Sequence, residues 1–131
     1  MKKILAVLTA ALFFFSCVND PEEDFRYYKI KVDKIEAPDT LNVSDSLKIK
    51  FYGTVGNDGC HSFDDFETEQ NDRQIEITAW GKIPTDANVC PAVMVYLDGE
   101  EFKTKLNEPG KYQIIINQPD SSKISKYVVV E

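Results

Sequence analysis

Two short stretches hold the residues best able to do chemistry. "GNDGCHSF" carries Cys60 and the only histidine, His61, and "DANVCPAV" carries Cys90. A cysteine beside a histidine raises the question of a thiol nucleophile, in which the imidazole would draw the proton from sulfur. Adjacent residues of an extended segment point to opposite sides, so direct adjacency works against that contact. An orienting group and an oxyanion site are not legible either. Cys60, His61 and Cys90 also offer three ligands to zinc, one short of a closed structural site. Asn57, Asp58, Asp64, Asp65 and Glu67 offer oxygens to calcium, but without the alternating Asp/Asn spacing of a calcium loop. Asp64 and Glu67 could be paired as a glycosidase dyad, yet carboxylates are too abundant here for that pairing to carry meaning. The expectation is a protein without catalytic residues, resident metal or cofactor.

Aromatic side chains are the second candidate group. In "RQIEITAW", Ile75, Ile77 and Ala79 alternate, and strict alternation sends Trp80, the only tryptophan, to the opposite face. Tyr52 and Tyr96 occupy outward positions by the same count. Exposed aromatics on a sheet suit contact with sugars or proteins. A bulge at Trp80-Gly81 would instead turn the indole back into the core, and the glycine favours that placement.

The elements that must present these groups begin with an N-terminal leader. Met1-Lys2-Lys3 precedes an apolar or small run from Ile4 to Phe15, then Ser16-Cys17. A basic start, a short apolar stretch and a small residue before a cut site are the parts of a secretory signal. The run falls short of the roughly 20 residues that a relaxed bilayer span requires. Formal charge is −7, and loss of Lys2 and Lys3 with the leader takes it to −9. No Lys/Arg cluster offsets this charge, which argues against nucleic acid and against electrostatic attraction to anionic lipid.

Phe14-Phe15-Ser16-Cys17 resembles the lipobox of bacterial lipoproteins, with Phe14 where leucine is commonest. The resemblance implies removal of residues 1–16 and a diacylglycerol thioether on Cys17, which then anchors the protein to the cell envelope. A lipid on Cys17 accounts for one of three cysteines and leaves Cys60 and Cys90. In an oxidising compartment these two are expected to pair and to pin the loops 56–67 and 83–92 together at one end of the sandwich, which makes those loops the expected contact surface.

After the cysteine, "VNDPEEDFRYY" is too acidic to bury apolar surface and reads as a tether over residues 17–28. Its acidic cluster resembles the export signal of Bacteroidetes lipoproteins, which implies the outer membrane and its surface face. A periplasmic face remains the alternative.

Residues 29–131 carry short period-two segments and no sustained 3.6-residue pattern. "SLKIKFYGTV" puts Leu47, Ile49, Phe51 and Val55 on one face. "AVMVYL" is apolar on both faces, as in a central strand, and Asp98-Gly99 signals a hairpin into "EEFKTKL". "KYQIIIN" and "ISKYVVVE" form a second hairpin around Gln118–Ser122. About seven strands in one all-β, antiparallel sandwich result. "LNEPGKYQIIIN" resembles the tyrosine-corner entry to the penultimate strand of immunoglobulin-like sandwiches, which implies that Tyr112 bonds back to the chain. The usual inter-sheet cysteine pair of such domains is missing.

The sequence therefore leads to the expectation of a lipid-anchored, non-catalytic binding or accessory module for protein or glycan. The other class it admits is an assembly subunit that pairs through a free edge at Val128–Val130.

Overall fold

A computed structural model describes residues 24–131, so Cys17, the leader and most of the tether lie outside the described residues. Nine strands follow in order: β1 (Phe25–Lys29), β2 (Lys31–Glu36), β3 (Thr40–Leu41), β4 (Ser46–Gly56), β5 (Ser62–Asn71), β6 (Gln74–Pro84), β7 (Val95–Lys105), β8 (Gly110–Asn117) and β9 (Lys123–Val130). They form a six-stranded sheet, β1-β6-β8-β9-β3 with β5 also on β6, and a three-stranded sheet, β2-β4-β7. The architecture is a β-sandwich of nine strands rather than seven, mostly antiparallel. Two parallel pairs, β3 with β9 and β6 with β8, depart from the all-antiparallel expectation.

Alternation fixes which face each strand buries. Leu47, Ile49, Phe51 and Val55 of β4 face inward, as do Ile75, Ile77 and Ala79 of β6 and Ile114 and Ile116 of β8. These rows meet as one apolar core, and burial of that area is the main driving force for the fold. Tyr112 is buried, and its hydroxyl donates to the Glu108 carbonyl at 2.9 Å, which is the corner that the sequence implied. The β8–β9 hairpin also forms, with Asn117 opposite Lys123.

Several expected features differ. The first strand starts at Phe25, inside the stretch read as tether, and pairs with the end of β6. Residues 62–67, read as part of a loop, and the unassigned residues 68–71 together form β5. Its two core-facing aromatics, Phe63 and Phe66, sit three apart, and a bulge between Phe63 and Asp65 reconciles that spacing with the pleat. Phe66 then packs 4.7 Å from Phe51, 4.9 Å from Phe63 and 5.6 Å from Phe102, ring centre to ring centre, closing the open side of the core.

Asp98-Gly99 does not turn the chain. β7 runs straight through it alongside the equally long β4, and Gly99 (φ +83) is the extra residue of a bulge, with Phe51 opposite Glu100 and Tyr52 opposite Asp98. The positive φ that a hairpin would require is spent on that bulge. β7 is also an edge strand rather than a central one, and the preceding Val93 and Met94 are exposed.

The Val128–Val130 edge is not free. β3 pairs with it at Val129 and Val130, and Asp39 O and Leu41 O accept the N–H groups of Val129 and Glu131.

One contact ties the two sheets together at a polar point. At the bulge in β2, the Gln118 side chain reads the Val32 backbone like a neighbouring strand, accepting its N–H at 2.9 Å and donating to its carbonyl at 2.6 Å. Both residues are buried, so removing the amide leaves a donor and an acceptor unsatisfied, each costing about 1–3 kcal/mol. Gln118→Leu is therefore expected to destabilise the domain by about 2–4 kcal/mol, read as a lower urea midpoint with an unchanged slope.

Candidate functional site

At one end of the sandwich, residues 57–61 after β4 face the irregular stretch from Thr85 to Met94 that leads into β7. Cys60 and Cys90 form a disulfide across this gap, with Cα atoms 5.2 Å apart and a separation of 30 positions in sequence. Gly59 N–H donates to Pro91 O at 2.8 Å beside it.

Asp58 organises the shorter segment. Its Oδ1 accepts the Cys60 N–H at 3.0 Å and the His61 ring N–H, from Nδ1, at 2.8 Å. Partial burial would raise the Asp58 pKa, but the Cys60 N–H and His61 more than offset it and hold the carboxyl below its ordinary value. A depressed carboxyl pKa contributes stability above the ordinary range, and that contribution is lost as pH falls through the folded value. His61 meets the Tyr28 ring edge-on at 5.7 Å, and Tyr28 OH donates to Val55 O at 2.7 Å. Burial, then the Asp58 charge, raises the Tyr28 pKa, which keeps that hydroxyl protonated.

These contacts decide the chemistry of the first candidate group. Asp58, Cys60 and Cys90 do place an oxygen and two sulfurs within 4.8 Å of one another. Both sulfurs are joined in the bridge, however, and neither is a thiolate able to attack carbon or bind zinc. The acids weighed for calcium are spread along the chain. Asp64 pairs with Lys82 at 3.6 Å, Asp65 accepts the Phe66 N–H, and Glu67 faces Trp80.

The aromatic candidates do not converge. Tyr52 and Tyr96 lie on the outer face of the three-stranded sheet, at diagonal positions of β4 and β7. Tyr52 donates to Glu36 at 3.2 Å, with Lys34 Nζ 4.6 Å from its ring centre, whereas Tyr96 is 59% exposed. Trp80 lies on the outer face of the other sheet. The expected bulge at Trp80-Gly81 is absent, and β6 continues to Pro84. Gly81 serves a different need. The Tyr28 ring lies across it on the inner face, where a Cβ would come 2.5 Å from Tyr28 Cζ. With Gly81 facing in, alternation holds Trp80 out.

There the indole N–H donates to Glu67 at 2.8 Å. The half-exposed ring forms one wall of a cleft of about 180 Å³, completed by Lys29, Glu67, Glu69, Glu76, Thr78 and Asn117. Each strand contributes through register: Lys29 of β1 is opposite Trp80, and on β5 Glu67 is opposite Thr78 and Glu69 opposite Glu76. Asn117 of β8 donates to Thr78 Oγ1 at 3.2 Å. Two glutamates directly across an antiparallel pair repel, and the cation nearest Glu76 is Lys123 at 3.9 Å. The cleft thus combines a flat apolar ring with acceptor oxygens and an amide, a set that fits hydroxyl-bearing or ammonium-bearing ligands. Sequence reasoning found Trp80 but did not bring it together with its partners, because residues up to Glu67 read as loop and Glu69 was assigned to no strand.

Comparison with known proteins gives one match. The family model of the ORF11 beta-sandwich domain matches residues 49–125, more than half of the chain, and the chain belongs to that family. The matched stretch starts within β4 and includes both cysteines and most of the cleft. No curated protein and no solved structure matches.

The bridge closes a loop long enough for the chain-entropy model to assign it about 3–4 kcal/mol. Replacing Cys60 and Cys90 together with alanine is expected to lower stability by that amount while the far-ultraviolet circular dichroism stays β-rich. An unchanged denaturation midpoint would contradict the role given to the bridge.

Proposed function

For this member of the ORF11 beta-sandwich domain family we propose a lipid-anchored, non-catalytic binding module of the cell envelope, held by Cys17 and presenting a ligand cleft on its outer β-face. The anchor rests on the sequence from Met1 to Cys17. The binding role rests on one observation: the only tryptophan is kept out of the core and fixed by Glu67 against a polar cleft. Alternation places position 80 on the outer face but does not require a tryptophan there, so a large, half-exposed indole at that position is better explained by a ligand than by folding.

A glycan is the ligand class that this cleft fits best. An indole stacks on a sugar face, and Glu67, Glu69, Glu76 and Asn117 supply partners for its hydroxyl groups. A basic protein segment is the second reading, favoured by the opposed Glu69 and Glu76. Assembly through a free C-terminal edge loses support because β3 covers that edge. The open flank of β5 carries Asp64, Asp65, Glu67 and Glu69, the kind of charge that discourages edge pairing.

Screening the purified protein on a glycan array and by pull-down from envelope extracts identifies the ligand. Trp80→Ala, a change on the outer face, is then expected to weaken binding at least tenfold, about 1.4 kcal/mol. Full affinity in that variant would remove the cleft from consideration. Cys17→Ser is expected to move the protein from the membrane to the soluble fraction, and retention in the membrane would contradict the anchor.

A further inference from the structure

The end of the sandwich that holds the disulfide also carries a concentration of exposed apolar groups. Val89 is 89% exposed, Val93 56%, Met94 48% and Tyr96 59%. From Ala87 to Leu97 the chain has no charged residue, in a sequence that is 28% charged overall. These residues do not pack on the core, and the bridge at Cys90 together with the Gly59–Pro91 bond holds the stretch in place. An exposed apolar strip tied to the domain in this way marks an interaction surface.

The position of the strip indicates what covers it. Asp24, the first described residue, accepts two hydrogen bonds from Thr85, from its N–H at 2.9 Å and its hydroxyl at 3.1 Å. Thr85 begins the irregular stretch that carries the strip, so the chain enters the domain at the same end. Only seven residues lead from Cys17 to Asp24, a reach of at most about 25 Å when fully extended. A lipid on Cys17 therefore tethers this end of the domain within about 25 Å of the bilayer. A second copy anchored in the same membrane would approach from the side, and a soluble partner would have to enter the narrow gap beneath the domain. The lack of Lys or Arg in the strip points to apolar contact rather than attraction to anionic head groups.

We propose that the strip Val89–Met94, with Tyr96 at its border, docks on the lipid surface to which Cys17 is anchored. The contact fixes the domain upright on the membrane and turns the outer faces of its sheets sideways, open to ligand. The proposal rests on the lipid anchor described above. Tyr96 suits the border because its ring is apolar and its hydroxyl can remain among the head groups.

Met94 makes the proposal directly measurable, because the chain has two methionines and the other, Met1, is lost with the leader. The lipidated protein is reconstituted in phosphatidylcholine–phosphatidylethanolamine vesicles, recovered by flotation, and treated with chloramine T, a charged, water-soluble oxidant. Mass spectrometry then follows conversion of Met94 to its sulfoxide. Oxidation is expected to be at least fivefold slower than in the Cys17→Ser protein mixed with the same vesicles. Val93→Asp in the lipidated protein is expected to restore most of the free rate while the protein still floats. Flotation with Met94 oxidised at the free rate would overturn the docking and leave the anchor standing. Failure to float would overturn the anchor and the docking with it. Protection that appears without vesicles and grows with protein concentration would assign the strip to a second copy and overturn the lipid contact.

Discussion

Everything in this domain depends on the close packing of two inward-facing apolar rows. Leu47, Ile49, Phe51 and Val55 from one sheet meet Ile75, Ile77, Ala79, Ile114 and Ile116 from the other, and Phe66 closes the open side with three aromatic contacts. Because side chains alternate along a strand, filling the inner face dictates the outer one. Tyr28 claims the inner surface at Gly81, so the next residue back, Trp80, must project outward. The outer-face cleft is thus a consequence of how the core is filled.

Much of this was legible in the sequence where period-two alternation is clean. β4, β6 and the β8–β9 hairpin could be read directly, and Tyr112 makes the bond that its resemblance implied. β5 was not legible, because four of its ten residues are Asp or Glu and its two core aromatics fall out of phase until a bulge is allowed for. Asp98-Gly99 carried a true backbone signal whose use, a bulge or a hairpin, is decided by the length of the partner strand β4. "AVMVYL" looked doubly buried because apolar composition does not distinguish a central strand from a surface strip. Of the candidate site, Trp80 and the Cys60–Cys90 bridge were visible, whereas Glu69, Glu76 and Asn117 join it only through register.

The fold divides its surface by task. One end carries the chain entry, the disulfide and the uncharged strip, all fixed relative to one another by Asp24–Thr85, Gly59–Pro91 and the bridge. The outer face of the larger sheet carries the cleft, built on paired strands and therefore rigid, as recognition without a large ordering cost requires. The clamp of Gln118 on Val32 joins the sheets near the point where β1 hands over to β2. On the reading proposed above, anchoring and recognition use different parts of the molecule.

In the proposed function, the outer-face cleft, and not the disulfide-pinned end, recognises the ligand. The most direct measurement is the single indole resonance of Trp80 in a ¹H–¹⁵N spectrum of the labelled protein, followed as ligand is added. Ligand held in the cleft is expected to shift that resonance and amides in β5 and β6 saturably, with residues 57–61 and 85–94 unmoved. Shifts confined to those two segments, with the Trp80 indole unchanged, would contradict it.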